Sequence, residues 1–404
     1  MTASAKKPVI VYLHRYAPEV EAIQWPALTE LADVLSADYE LVYICMASDK
    51  VRDAGIRRHI RVIELPFSVA QSDGRDKWCK TFRWYMNLRR ILNLIRNEKP
   101  ALIICKETLP FIPGRMVKTG IPVIIETSDW WWSILFGHTA FGRKLAGWLE
   151  RSEVKKWNRA GVTATVSTNA EGRLLNQKGM DVSRIAVINA PQDPGVFHPL
   201  IPRTEKTELG LDADRHYFAI FGIIRGGKGY DQLLDWWKAV AEKHPDWTLV
   251  IIGGAGGERW CRNEIARRNL ECATHMTGWL PSKHDVNRWL SAMDAIIVQR
   301  RNSPDNQGII PSALFNGLST GRPVVASGLA GIAEVMRDGI DGFLFKPDCE
   351  LSFINALEKA VADSVTAENA GLSGMTRAAE CFNPRNAAEL HRKLIDSMIS
   401  GITG

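Results

Sequence analysis

The chain has 404 residues, of which 46% are hydrophobic and 24% are charged. At about 150 residues per domain this length corresponds to two or three domains, and the composition excludes a disordered or fibrous protein. The net charge of +6 is small for this length, so we expect no nucleic-acid partner. No apolar stretch reaches the roughly 18 residues of a membrane span, and Pro8–Leu13 meets His14 too early for a secretory signal, so we expect a cytoplasmic protein.

The seven cysteines are scattered and never spaced as Cys-x-x-Cys, which indicates neither a disulfide framework nor a zinc site. Asp212 and Asp214 form the one Asp-x-Asp pair, but they precede a predicted strand. Ligands of α/β proteins bind at the opposite, carboxyl ends of the strands. We therefore expect no metal site.

The first half alternates short β-branched runs with amphipathic stretches, a pattern typical of a parallel sheet covered by helices. Strands are predicted at Pro8–Leu13, Glu40–Cys45, Ile60–Leu65, Ala101–Cys105, Pro122–Glu126, Thr163–Ser167 and Ile185–Asn189. A turn-rich segment over residues 189–195 then interrupts the alternation, and we place a domain boundary there.

The segment Lys77–Lys99 has the period of an amphipathic helix. One arc of this helix is apolar and consists of Trp84, Tyr85, Leu88, Ile91, Leu92 and Ile95. The other arc is basic, with Arg83, Arg89, Arg90 and Arg96, and also contains the apolar Phe82 and Met86. Such a basic face suits anionic lipid headgroups, although most basic faces are only solvated. Peripheral contact of this helix with the inner face of the plasma membrane therefore stays open.

Asp129 and the three tryptophans Trp130, Trp131 and Trp132 follow the predicted strand Pro122–Glu126. Aromatic faces at the end of a strand stack on sugars or cover lipid tails. The alternative is that the tryptophans fill the core. Asp129 is the carboxylate of this half that we single out for a role on the acceptor or the sugar.

The alternation restarts after the boundary, with strands predicted at Tyr217–Phe221, Thr248–Ile252, His275–Gly278, Ala295–Val298, Pro323–Ala326 and Phe343–Phe345. The chain is thus predicted to be an α/β protein of two doubly wound, Rossmann-like domains that face each other across a cleft, residues 1–195 and 196–383. Ligands are expected in that cleft, at the carboxyl ends of the strands.

The glycine-rich segment Gly222–Gly229 follows the strand Tyr217–Phe221 and opens a helix. Glycines and a helix start favour an anion, and Arg225 and Lys228 supply two cations that neutralise a diphosphate without a metal. Gly229 stands where a Walker loop needs a hydroxyl for magnesium, which argues against a Walker ATPase. The alternative is a plain connecting turn with solvated charges.

Two later segments also follow strands. Gly253 belongs to a glycine cluster that, taken alone, is more typical of a connecting turn. The polar loop over residues 300–307 leads through Gly308 to Pro311, which suits the first turn of a helix. A loop this polar at a strand's carboxyl end is a candidate ligand loop.

In this order the segments resemble the nucleotide-binding domain of glycosyltransferase family 4, the retaining enzymes of GT-B fold. The matching stretches of the second half are Gly222–Gly229, Val250–Gly253, Gly278–Pro281, Leu290–Asp294, Gly308–Val325, Ala330–Glu334 and Asp338–Leu344. The first half is similar to the acceptor-side domain at His14–Val20, Val123–Trp131 and Ala164–Ser167.

The resemblance implies transfer of a sugar from a UDP- or GDP-linked donor to an acceptor hydroxyl with retention of the anomeric configuration. Arg225 and Lys228 match the cations that hold the leaving diphosphate, so neither a metal nor another cofactor is implied, and Asp129 is the third catalytic candidate. The donor-binding candidates are Gly222, Gly253, Gly278, Leu280, Gln307, Gly308, Pro311, Ser312, Asn316 and Glu334. The acceptor-side candidates are His14, Trp130, Trp131 and Trp132.

The resemblance also implies that residues 384–404 form a helix that returns to the first domain. Its own pattern places Ala387, Leu390, Leu394 and Met398 on one apolar stripe. An amphipathic stripe does not by itself say which core it meets, so packing on the second domain stays an alternative.

The sequence departs from the family pattern at two acidic positions. Gln307 or Gly308 stands where a glutamate lies near the donor sugar, and Asn316 stands where another binds the ribose. An amide at Asn316 still binds ribose hydroxyls, so nucleotide binding is less affected than the sugar-side role. Glu21 also replaces a glycine near the phosphates, so we expect either that its loop sits back or that Glu21 meets another group.

We therefore predict a retaining glycosyltransferase of surface glycan synthesis, polysaccharide or lipopolysaccharide, with a nucleotide sugar and a glycan or lipid-linked acceptor as partners. Two alternatives stay open. The missing glutamates favour a catalytically silent homologue that binds nucleotide or glycan. A sugar-nucleotide epimerase needs acid and base groups, for which Asp129 and Glu334 are available.

Overall fold

The computed structural model describes residues 6–47, 51–68, 82, 84–106, 108–127, 130–137, 139–189, 194–224, 229–254 and 256–403. The chain forms two compact units, one of Met1–Pro191 with Pro384–Gly404 and the other of Gln192–Asn383. From the sequence we place the first boundary at residue 195. Alternating strands and helices give each unit a parallel sheet with helices packed on it.

The sheet of the first unit has the strand order β3-β2-β1-β4-β5-β6-β7. The strands are β1 (Val9–Leu13), β2 (Glu40–Ala47), β3 (Ile60–Ser68), β4 (Leu102–Cys105), β5 (Val123–Glu126), β6 (Thr163–Val166) and β7 (Ile185–Val187). The helices are α1 (Pro18–Gln24), α2 (Ala27–Leu35), α3 (Leu88–Glu98), α4 (Ile112–Val117), α5 (Trp131–Phe136), α6 (Ala140–Arg159), α7 (Asn169–Gln177) and a 3-10 turn at Val182–Arg184. Strand β1 is buried along its whole length, as expected for a sheet covered on both faces.

The sheet of the second unit has the order β10-β9-β8-β11-β12-β13. The strands are β8 (His216–Ile223), β9 (Trp247–Gly254), β10 (Thr274–Gly278), β11 (Ala295–Val298), β12 (Val324–Ser327) and β13 (Phe343–Phe345). The helices are α8 (Pro202–Glu208), α9 (Tyr230–Lys243), α10 (Glu258–Arg267), α11 (Lys283–Ser291), α12 (Ser312–Ser319), α13 (Ala330–Val335), α14 (Glu350–Ala362) and α15 (Ser364–Cys381), with 3-10 turns at Glu271–Ala273 and Pro304–Asn306. The predicted α/β class and the predicted strands of both halves are confirmed.

The last helix, α16 (Pro384–Thr403), packs against α2 of the first unit. Ala388 and Ile395 are fully buried in that unit's core. The predicted apolar stripe is wrong at Leu390, which is 42% exposed, whereas the neighbouring His391 is only 3% exposed. The helix is rotated in this way because His391 meets a buried carboxylate, a contact that a count of apolar residues does not include.

The segment Lys77–Lys99 is described only in part, because residues 77–81 and 83 lie outside the described ranges. Trp84 and Ile91 are buried as predicted, and the exposed side includes Phe82 at 65% and Met86 at 69%. No helix within the described ranges is long and apolar enough to cross a membrane. Peripheral membrane contact of this segment stays a prediction.

Candidate active site

The carboxyl ends of all strands of a parallel sheet lie at one edge, so each unit has one edge at which loops gather. The candidate residues on these loops are described for each unit separately. Three of them, Arg225, Lys228 and Asp129, lie outside the described residues. Their predicted roles stay predictions.

Glycines shape the edge of the second sheet at the ends of β8 and β9. Gly222 and Gly253 are partners in the strand register, and both have a φ angle of 121°. A Cβ atom added to Gly253 would lie 2.2 Å from the carbonyl oxygen of Gly222, so only glycine fits there. Gly229 caps the start of α9. This arrangement leaves backbone, rather than side chains, at the place where a phosphate is predicted to bind.

Gln307 ties its loop to the next helix instead of presenting a free amide. Its Nε2 donates to Oδ1 of Asn302 at 2.6 Å, and its Oε1 accepts from the backbone N–H of Ala330 at 3.4 Å. The N–H of Gly331 also donates to the Gln307 carbonyl, at 2.7 Å. Gln307, one of the two candidates for the sugar-side position beside the buried Gly308, therefore stabilises the loop between β11 and α12.

The start of α12 places two polar side chains on one face. Pro311 is the N-cap rather than a first-turn residue, and Ser312 is exposed. Asn316 follows one turn later on the same face and is half-buried. Gly278 ends β10 and is followed by the half-buried Leu280.

Glu334 lies near the end of α13 and is half-buried. Its carbonyl oxygen accepts a hydrogen bond from Nη2 of Arg377 in α15, at 3.3 Å. A hydrogen bond to its backbone therefore fixes this donor-binding candidate to α15 of the same unit.

Arg300 is a candidate that we did not single out from the sequence. It follows β11, where burial lowers the pKa of its guanidinium while Tyr230 at the start of α9 opposes that shift. In the described part of the chain, no carboxylate lies within ion-pair distance of it. The adjacent Arg301 instead pairs with Asp231 at 2.5 Å. A partly buried cation of this kind suits an anionic ligand, and the sequence alone does not distinguish the two arginines.

The corresponding edge of the first sheet holds a buried cluster of charged side chains. Glu21 of α1 is fully buried, with its Oε2 3.0 Å from Nδ1 of His14 and its Oε1 3.7 Å from Nζ of Lys106. Burial would raise the pKa of the Glu21 carboxyl, but His14 and Lys106 hold it below the usual value. Glu21 thus meets two basic groups, which is the second of the two outcomes expected for it.

The cluster continues to the end of β5 and to the last helix. Lys106 also lies 2.7 Å from Oε2 of Glu126, and Nε2 of His391 lies 3.0 Å from the other oxygen. Nδ1 of His391 donates to the carbonyl oxygen of Ala387 at 3.0 Å. Burial would raise the pKa of Glu126, but Lys106 and His391 hold it well below the usual carboxyl value. Sequence reasoning missed Lys106, Glu126 and His391 because they come from distant segments.

Glu171, at the start of α7, is a further buried carboxyl at this edge. It accepts from the N–H of Ser167 at 2.7 Å and lies 2.9 Å from Oγ1 of Thr127. Burial raises its pKa to about 7, against the effect of these bonds. Glu171 is therefore a group that titrates near neutral pH.

The acceptor-side tryptophans are half-buried, so they neither fill the core completely nor lie fully open to a ligand. Nζ of Lys178 lies 3.3 Å from the ring centre of Trp130, and the guanidinium of Arg15 lies 5.0 Å from that of Trp131. Trp132 instead donates from Nε1 to Oε2 of Glu153 at 2.9 Å. Cations thus lie on the rings of the first two, and the third turns towards α6.

Residues 215–363 match the family model of glycosyl transferases group 1. This span runs from β8 to α14. The second unit is similar to the glycosyl transferases of group 1. The first unit lies outside that span and has the same alternation of strands and helices.

Two curated relatives are glycosyltransferases or synthases of sugar compounds. Alpha-maltose-1-phosphate synthase of Mycolicibacterium smegmatis is 27% identical over 322 residues, which cover 74% of this chain and 79% of the relative. The lipopolysaccharide core biosynthesis mannosyltransferase LpsB of Rhizobium meliloti is 24% identical over 228 residues, which cover 54% of this chain and 62% of the relative.

The fold of the whole chain is similar to that of HepE from Anabaena, solved in complex with UDP and glucose. The TM-score is 0.70 at 17% identity, and the match covers 96% of this chain and 100% of HepE. The chain therefore has the predicted GT-B fold. The comparisons lend no support to an epimerase or to a silent binding protein.

Proposed function

We propose that the protein is a retaining glycosyltransferase that transfers a sugar from a nucleotide-diphosphate donor to an acceptor hydroxyl in surface glycan synthesis. The similarity to group 1 and the relatives named above support glycosyl transfer, and LpsB supports a lipopolysaccharide or related glycan as the product. The complex of HepE with UDP and glucose supports a nucleotide sugar as the donor.

The edge of the second sheet carries the proposal. Gly222 is exposed with open space beside it, so its backbone is available to a diphosphate, and the buried Gly253 lets the two strand ends pack closely. Arg300 adds a cation beside the start of α9. We place Arg225 and Lys228 on the same diphosphate. Fixed cations stabilise the negative charge that grows on the diphosphate as its bond to the sugar breaks, so no metal is required.

The nucleoside and the acceptor complete the proposed reaction. Ser312 and Asn316, on one face of α12, bind ribose hydroxyls, and the acceptor binds the first unit near His14 and Asp129. The acceptor oxygen forms a bond to the anomeric carbon, the bond to the diphosphate breaks, and the hydroxyl proton leaves with the diphosphate.

A panel of UDP- and GDP-linked sugars tests this proposal, with release of UDP or GDP measured with and without glycan and lipid-linked acceptors. Sugar transfer with diphosphate release supports it. Nucleotide binding without turnover would instead indicate a silent homologue, and conversion of the sugar without release would indicate an epimerase.

The cation roles are tested by Lys228→Ala, which should lower turnover at least tenfold, about 1.4 kcal/mol of transition-state stabilisation. Lys238→Ala is the matched control, because Lys238 is exposed on α9 of the same unit. Equal loss in both variants would contradict a specific role for Lys228.

A further inference from the structure

An aromatic groove opens in the first unit between α4, α5 and α6. Its cavity measures about 570 Å³, within the range of small-molecule sites. Aromatic side chains form its walls, among them Phe111, Trp132, Trp148 and Trp157. None of its residues is a donor-binding candidate, and the groove belongs to the first unit alone.

The walls of the groove are held in place by Glu153. Its two carboxylate oxygens accept from Nε1 of Trp132 at 2.9 Å and from the backbone N–H of Phe111 at 3.2 Å. Burial raises the pKa of Glu153, while the bonds from Trp132 and Phe111 oppose that shift. The carboxyl group therefore organises the two aromatic walls.

Phe111 is held in a strained conformation. Its φ angle is 68°, in the left-handed region where a bulky side chain costs about 1–3 kcal/mol. The ring is 60% exposed and packs edge-on against Trp132, with 5.3 Å between the ring centres. The exposed ring of Phe111 is therefore available to an apolar ligand in the groove.

The mouth of the groove and the outer face of α6 are basic. Arg115, Lys118 and Lys156 line the groove. The exposed charged residues of α6 are all cations, namely Arg143, Lys144, Arg151, Lys155, Lys156 and Arg159, whereas its Glu150 is buried. Phe141 and Trp148 of the same helix are 78% and 60% exposed. Basic residues interspersed with exposed aromatics are typical of helices that lie on anionic lipid.

Tyr85 fixes the segment before α3 beside one end of α4. It donates from its hydroxyl to the carbonyl oxygen of Pro110, at 2.5 Å, directly before Phe111. The next residue, Met86, is 69% exposed.

We propose that the groove binds the hydrocarbon chain of an anionic lipid, whose headgroup phosphate lies against Arg115, Lys118 and Lys156. The aromatic walls bury the chain, and the cations at the mouth neutralise the phosphate. This goes beyond the proposed glycosyl transfer, because lipid binding requires neither donor nor turnover.

The groove is tested with n-decyl phosphate, kept below the concentration at which it forms micelles, in calorimetric titration of the full chain. Gly114 lies in α4 and lines the groove, and an added Cβ there meets no atom within 4 Å. Gly114→Leu therefore fills the groove without disturbing the backbone, and we expect it to weaken binding at least about tenfold. Gly401→Leu, a change at another open helical glycine, is the control and should bind as the wild type does.

Titration with inorganic phosphate measures the contribution of the headgroup to binding without that of the hydrocarbon chain. It should bind at least about tenfold more weakly than decyl phosphate. Equal affinity for the two, or equal affinity of the wild type and Gly114→Leu for decyl phosphate, would overturn the proposal. Failure of the wild type to bind decyl phosphate would overturn it as well.

Vesicles of equal parts phosphatidylglycerol and phosphatidylcholine test the charged mouth. We expect the wild type to sediment with them and Lys156→Glu to do so less, whereas Lys238→Glu, the same charge change on the other unit, has little effect. Equal sedimentation of the two variants would contradict the assigned headgroup position. Because none of these measurements includes a nucleotide sugar, their outcome is independent of the proposed transferase activity.

Discussion

The adjacent arginines Arg300 and Arg301, which follow β11, have different electrostatic surroundings. Arg301 is neutralised by Asp231, while no carboxylate of the described residues lies at ion-pair distance from Arg300. A cation that is partly desolvated without an acidic partner binds an anionic ligand more strongly than a solvated one does. We therefore propose that Arg300 takes part in donor binding.

Arg300→Ala is expected to weaken binding of UDP or GDP roughly tenfold to a hundredfold, because a hydrogen bond to a charged group contributes about 1.5–3 kcal/mol. Calorimetric titration measures this affinity. Arg262→Ala, at an exposed position of α10, is the matched control and should leave it unchanged. Wild-type affinity in Arg300→Ala would exclude contact of this arginine with the diphosphate.

Glu171→Gln is expected to stabilise the protein at alkaline pH. The Thr127 hydroxyl donates to the carbonyl oxygen of Thr165 at 2.7 Å, so a protonated Glu171 can donate to Thr127 in turn, and a glutamine amide reproduces that bond. The raised pKa of about 7 stabilises the fold at low pH, and this contribution is lost as the pH rises through 7.

Urea denaturation at pH 5 and pH 8 measures the effect of Glu171→Gln. At pH 5 the variant and the wild type should have nearly the same free energy of unfolding. At pH 8 the variant should be more stable, by up to about 3 kcal/mol. An equal difference at both pH values would show that ionisation of Glu171 is not the cause.

At the scale of secondary-structure elements, the last helix contributes a charged partner to the first sheet as well as apolar contacts. His391 of α16 meets Glu126 at the end of β5, and Arg392 pairs with Asp38 after α2. The helix is thus joined to the first unit both inside the core and at its rim.

His391→Ala should lower the free energy of unfolding by about 3 kcal/mol or more, because removal of one partner leaves the buried Glu126 carboxylate undercompensated. Leu390→Ala is the control, since Leu390 is 42% exposed, and its effect should stay within about 0.5 kcal/mol. Urea denaturation of both variants at neutral pH is the measurement. A similar loss of unfolding free energy in the two variants would show that α16 contributes through general packing rather than through His391.

The elements that the sequence predicted well are those whose signal is local. Continuous β-branched runs such as Val9–Leu13 form strands wherever helices cover both faces, and Gly253 has a φ angle that restricts the position to glycine. The charged cluster has no local signal, because Lys106 and His391 reach Glu126 only after β4 and α16 have packed at the same edge. The predicted apolar stripe of α16 is wrong at Leu390 for the same reason, because a sequence pattern treats His391 as polar and its buried partner Glu126 is distant in sequence.

For the molecule as a whole, the proposed binding of the diphosphate by Arg225, Lys228 and Arg300 predicts that the reaction needs no metal. Transferase activity should therefore persist when EDTA is added to the reaction, measured as release of UDP or GDP. Added Mg²⁺ should change the rate little. Complete inhibition by EDTA that Mg²⁺ reverses would show that a metal, rather than Arg300 and its neighbours, neutralises the diphosphate.

The position of α16 also has a consequence for the order in which the protein is made. The second unit, Gln192–Asn383, is continuous in sequence, whereas the first unit needs α16, which follows the second unit, to supply the His391 partner of Glu126. The N-terminal domain of a growing chain usually folds first, but here the amino-terminal segment is not complete until α16 has been made. During synthesis, the amino-terminal half therefore waits for residues that come after the second unit.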